Sequence, residues 1–199
     1  MVDRLWRQRD VRTSTSRPFV AVVVLLIIAS ASACGGDGNR GDAGGRGERF
    51  QPLAVGAPAP AYAVRTLDGD TIRVGGGPGA GSDGVPTLLN IWATWCGPCK
   101  REFPELERIH RAHSAAGLRI VAVSIDLGDD APVASFVREH GATFAIGRDV
   151  TGTVQERFQS IGVPESYLIA ADGTLLWRHV GELPAHDAGL LAALARAGL

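Results

Sequence analysis

Two cysteines separated by two residues, Cys96 and Cys99, stand in the stretch W-C-G-P-C at residues 95–99 of a 199-residue chain. They follow an apolar run at residues 88–93 and precede Lys100, Arg101 and Glu102. If the run is a buried strand and a helix begins at Cys96, the first thiol lies at the positive end of a helix macrodipole, which favours its thiolate. The second thiol lies roughly one turn deeper on the same helix, close enough to attack a mixed disulfide formed at Cys96. The spacing fits a pair cycling between dithiol and disulfide, with Cys96 partly exposed as the attacking sulfur and Cys99 buried as the resolving one. The competing chemistry is binding, as in a metal or haem-protein chaperone. Zinc wants four ligands, and the chain has no second C-x-x-C and no nearby C-x-x-H. Lys100 after Cys99 excludes a C-x-x-C-H haem attachment. No cofactor is expected beyond the redox-active disulfide itself.

Neighbouring residues tune the pair. Pro98, beside Gly97, has the fixed torsion that suits the first helical turn. Trp95 is expected to shield the disulfide, whereas Trp92 on the strand reads as core. Lys100 is either a source of positive charge or a solvated surface lysine. Pro104 lies inside the helix, expected to run to about residue 116, and should kink it. His110 and His113 form an H-x-x-H pair without a convincing carboxylate partner and read as packing or surface residues, as do His140 and His179. Glu105, Glu107, Asp129 and Asp130 read as solvated or helix-surface charge.

A net charge of -1, with no Lys or Arg run after the first 17 residues, provides no field for nucleic acid. The third cysteine, Cys34, belongs to a different story. Arg4, Arg7, Arg9, Arg12 and Arg17 precede an apolar run at residues 19–29 that ends in small residues. This is the pattern of an export signal over residues 1–33, and the run is too short for a comfortable membrane span. No adjacent arginine pair precedes it, which favours the general secretion route. Ala31-Ser32-Ala33-Cys34 resembles a bacterial lipobox, with Ala31 where Leu is usual. Three fates stay open: lipidation at Cys34, A-x-A cleavage with release, and an uncleaved anchor. The glycine-rich segment after Cys34 has almost nothing apolar to bury, so residues 34–51 are expected to be a tether spanning roughly 20 Å. The folded domain, residues 52–199, is thus expected on the extracytoplasmic face of the cell membrane.

Within that domain, residues 62–67 and 71–74 flank Asp68-Gly69 as a hairpin. A second glycine-rich stretch, residues 75–86, reads as a mobile insertion. Strands are expected at 87–93, 119–125 and 143–146, with helices after Cys96 and at 131–140, a βαβ order that argues for parallel strands. A brief helix at 154–160, a hairpin of 166–170 with 174–180, and a helix at 185–197 follow. A βαβ half joined to a ββα half, with C-x-x-C at the first strand-to-helix turn, is the thioredoxin arrangement. The expected fold is α/β, a central mixed sheet flanked by helices, with an N-terminal β-hairpin extension.

W-C-G-P-C-K-R-E-F-P and I-G-V-P-E-S-Y-L-I-A-A-D-G-T-L together resemble the TlpA/ResA/CcmG branch of exported thioredoxin-like proteins, over residues 52–199. The resemblance implies a membrane-tethered domain that handles disulfides of exported partners, often apocytochrome c, with electrons from a membrane thiol donor. It implies a cis bond before Pro164, bringing the Val163 backbone beside the cysteines to receive an extended substrate. Thioredoxin carries a buried acid six residues before its first active-site cysteine, where this chain has Asn90, which cannot exchange protons. Glu102, three residues after Cys99 and on the same helical face, stands where the family places a glutamate near the active site. The expected function is a thiol-disulfide oxidoreductase that reduces its partners. A disulfide-forming oxidase of the same fold is the alternative.

Overall fold

The structure is a computed structural model and describes residues 51–77 and 83–199. The export signal, Cys34 and all but the last residue of the tether lie outside the described residues. The described chain runs β1 (Tyr62–Thr66), β2 (Thr71–Val74), β3 (Thr87–Trp92), α1 (Gly97–His113), β4 (Arg119–Ser124), α2 (Ala131–His140), β5 (Ala145–Arg148), α3 (Thr153–Phe158), β6 (Glu165–Ile169), β7 (Leu175–Val180) and α4 (Ala188–Arg196). One sheet holds the strands in the order β2-β1-β5-β4-β3-β6-β7. β3, β4 and β5 are parallel, while β6 and β1 run antiparallel to β3 and β5. The expected hairpin therefore extends the sheet at β5.

Every residue of β3 is buried, because both sheet faces are covered. Its side chains alternate between two cores. Leu88 and Trp92 pack with Phe103, Leu106 and Phe136 from α1 and α2, whereas Leu89 and Ile91 pack with Phe158 and Tyr167 on the other face. Trp92 is fully buried, with ring centroids 4.6 Å from Phe103 and 4.7 Å from Phe136. Such aromatic pairs add about 0.5–1.5 kcal/mol each beyond area burial. Asn90 lies between Leu88 and Trp92 in this alternation, and its side chain meets Glu102 of α1.

Three expectations are corrected. β5 begins at Ala145 rather than at 143, because the Thr143 N–H and hydroxyl donate to the Glu107 carboxylate, not to a neighbouring strand. Glu107 is consequently a buried anchor between α1 and the approach to β5, not surface charge. Glu105 and Asp130 also have partners, Arg108 with the His186 N–H and Arg148 respectively. The described ends of the glycine-rich stretch are tied down rather than loose. Gly76 N–H donates to Ala59 O, and Asp83 accepts from Arg73 N–H and Arg119. Gly75, at φ +66°, lies so close to Pro60 that a Cβ there would sit 2.1 Å from its carbonyl oxygen. α1 runs through Pro104 to His113 and ends in a short 3-10 turn.

Candidate active site

The parallel strands all point their C-terminal ends at one edge of the sheet, and the start of β6 shares it. Ile91 pairs with Glu165, so Pro164 falls one residue further, level with the end of β3. The chain leaves β3 at that edge and turns into α1 at Cys96, which caps the helix with extended torsions, φ -84° and ψ 110°. Its sulfur accepts the Cys99 N–H at 3.1 Å. An N–H donor and the helix dipole both favour negative charge on this sulfur. Pro98 occupies the first helical turn, where its missing N–H costs nothing. Cys96 and Cys99 are joined as a disulfide, with Cα atoms 5.3 Å apart.

Exposure departs from expectation at Cys96. Cys96 is only 5% exposed, against none for Cys99, so the sulfur expected to attack is nearly buried. Trp95, next to Cys96 in sequence, is 67% exposed and offers an apolar surface to solvent. Lys100 is exposed. The Val163–Pro164 bond is cis, with Pro164 buried and Val163 packed against both cores. Glu165, next in sequence, accepts Ile161 N–H at 3.1 Å and pairs with Arg178 at 2.6 Å, tethering the 161–164 loop to β7.

Glu102 is 1% exposed. Its Oε1 accepts the Asn90 amide at 2.7 Å and its Oε2 accepts Leu183 N–H at 2.8 Å, from the loop after β7. Burial pushes its carboxyl up to about 7, with Glu182 adding to the rise and the two hydrogen bonds opposing it. A carboxyl titrating near neutrality, less than one turn from the buried Cys99, is suited to take a thiol proton.

Asp126 was not legible from the sequence as part of this site. At the end of β4, it accepts Thr94 N–H at 3.0 Å and Thr94 hydroxyl at 2.6 Å, and is braced by Ser124. Arg148 holds the same loop, donating to Ser124 Oγ and to the Asp126, Gly128 and Asp129 carbonyls. The parallel β3–β4 register, which places Trp92 beside Ser124, is what brings Asp126 to the segment before Cys96. Asp126→Ala is expected to cost about 1–3 kcal/mol by leaving the Thr94 groups unpartnered, read as a lower denaturant midpoint. An unchanged midpoint would deny Asp126 this anchoring role.

His140 stacks on Phe136 and His179 on Trp177, in keeping with packing. Among the described residues, no group of three or more His, Cys, Asp or Glu is placed to hold a metal ion. Nor, among them, is any helix long and apolar enough to cross a membrane.

Comparison with known proteins agrees with this geometry. Residues 55–178 match the AhpC/TSA family model. The thiol-disulfide oxidoreductase ResA of Bacillus thuringiensis is 30% identical over 132 residues, covering 66% of this chain and 73% of that protein. The thiol:disulfide interchange protein DsbE of Escherichia coli is 28% identical over 175 residues, covering 84% of this chain and 87% of its own length. A crystal structure from Chlorobium tepidum, described as a DsbE-type thiol:disulfide interchange protein, superposes with a TM-score of 0.63 at 29% identity, over 73% of this chain and 98% of that one. The chain belongs to the AhpC/TSA family and is a thioredoxin-fold thiol-disulfide oxidoreductase of the TlpA/ResA/CcmG kind.

Proposed function

We propose that the protein works outside the cytoplasm, tethered to the membrane through a lipidated Cys34, and reduces disulfides of exported proteins, apocytochrome c among the candidate partners. The observation that carries the reading is the buried Glu102 beside the Cys96–Cys99 pair. In the forward cycle the Cys96 thiolate attacks a partner disulfide and displaces one partner thiolate. Cys99 passes its proton to Glu102 and attacks the Cys96 sulfur, which closes the intramolecular disulfide and releases the second partner sulfur as a thiolate. Two electrons reach the partner, and a dithiol donor at the membrane returns the pair to its reduced state. Glu102 supplies in this chain the proton acceptor that Asn90 cannot be. Trp95, Val163 and Pro164 border the pair as the surface for an extended partner segment.

The oxidase reading has its own support. The Cys99 N–H on the Cys96 sulfur and the helix start stabilise a thiolate, and stabilising the reduced pair makes its disulfide more oxidising. The reduction potential separates the two. A value near thioredoxin's, about -270 mV, supports a reductant, and one near about -120 mV overturns that direction in favour of an oxidase. Location is tested by Cys34→Ser, which is expected to release the protein from the membrane fraction. A Cys34→Ser protein still held there contradicts lipid anchoring.

A further inference from the structure

Glu102 has one oxygen with a permanent partner and one without. Oε2 faces the Leu183 main-chain N–H, which can only donate. A proton on the carboxyl therefore belongs on Oε1, the oxygen facing Asn90. As placed, Asn90 Nδ2 donates to Glu102 Oε1 at 2.7 Å and to Ser166 Oγ at 3.0 Å, a geometry that serves the ionised carboxylate. It would set donor against donor once Oε1 carried a proton. Asn90 is fully buried, and its Oδ1 has no hydrogen-bond partner. Only the two bonds from Nδ2 hold the amide in its present sense, and no bond at Oδ1 opposes a half-turn. Ser166, opposite Asn90 in the β3–β6 register, has a hydroxyl that can accept or donate.

We propose that Asn90 is a positioning residue that follows the proton on Glu102, presenting Nδ2 to the carboxylate and turning to present Oδ1 to the protonated acid. After the half-turn, Glu102 Oε1–H donates to Asn90 Oδ1, and the Ser166 hydroxyl reverses to donate to the same oxygen. Glu102 thus meets a complementary partner in both charge states. A leucine offers nothing to either state, and an aspartate adds a second charge beside the first. Other titratable groups bear on Glu102 without replacing this partner. Cys99 lies on its own helix with Cys96 at the cap, and Glu182 on the loop after β7 is paired with Arg101.

The inference rests on Glu102 being the proton acceptor for Cys99, and the test keeps the two apart. In the full chain carrying labelled Glu and Asn side chains, the Glu102 carboxyl and the Asn90 amide are followed by NMR across pH. The Asn90 amide resonances are expected to shift with the midpoint of Glu102, and in Ser166→Ala that shift is expected to shrink. An Asn90 amide that stays silent while Glu102 titrates overturns the proposal, and this measurement on the native chain needs no variant to fold. Asn90→Leu, where folded, is expected to raise the Glu102 midpoint by about half a unit to one unit, since the bond to the charged form is the stronger one lost. An unmoved midpoint in the folded variant also overturns the proposal. The reading of Glu102 itself falls if Glu102→Gln leaves the pH-rate profile of exchange unchanged, a result that the Asn90 titration does not depend on.

Discussion

Cys96→Ser is expected to reduce disulfide exchange to the uncatalysed background, while Cys99→Ser accumulates a covalent complex with the partner. The asymmetry follows from the helix start. Cys96 holds the capping position with the Cys99 N–H on its sulfur, so its thiolate is the stabilised one, and it alone retains any exposure. Cys99 has none, so it can reach only a sulfur already bound at Cys96. A serine hydroxyl at position 96 is not an effective nucleophile towards a disulfide, whereas a serine at 99 removes only the resolving step. Non-reducing gels of the two variants with a disulfide-bearing partner are the check. Trapping by Cys96→Ser in place of Cys99→Ser would reverse the roles assigned here.

Glu102→Gln is expected to act on both rate and stability. General acid-base groups contribute about 10²–10⁴-fold, so the resolving step is expected to slow by about 10²-fold or more and to lose its inflection near neutral pH. The stability effect has a definite sign. The folded carboxyl, at about 7, holds its proton more tightly than the unfolded one, whose ordinary value is 4.5. Below the unfolded value both states are protonated and native Glu102 carries no penalty. Between the two values the unfolded chain ionises and the native one does not, so stability is lost as pH rises. Above 7 the loss is complete, on the order of 3 kcal/mol. The glutamine variant never ionises, and its amide can accept from Leu183 N–H and donate to a turned Asn90. It should match the native chain in acid and exceed its stability at pH 8. Denaturant titrations at pH 4 and pH 8 measure this, and an equal difference between the proteins at both values would show that Glu102 is not buried as a high-affinity proton site.

Much of the architecture was legible because local patterns and tertiary demands coincide. The apolar runs that become β3 and β4 and the helix at 131–140 are read directly from composition and periodicity. The turns at Asp68-Gly69 and Asp172-Gly173 sit where the backbone needs positive φ, at Gly69 and Gly173. The misplaced start of β5 has a physical cause. Thr143 is β-branched and strand-like in isolation, yet its donors go to Glu107, a residue 36 positions earlier. No window of neighbouring residues contains that partner.

The sequence by itself determined the chemistry: two thiols at i and i+3 on a helix start, a proline suited to its first turn, and a glutamate on the same face. Those features lie within a few residues of one another, and helical spacing converts them into proximity. What only the tertiary structure decided is the environment around the glutamate. Asn90 from β3 and Leu183 from the loop after β7 converge on its two oxygens from 12 and 81 residues away. Burial beneath those elements lifts its proton affinity to about 7. Asp126 and Arg148, from other strand ends, fix the turn that presents Cys96. Proton affinity depends on solvent exclusion and on groups brought in by chain crossings, and neither is written in the spacing of the residues that carry the reaction.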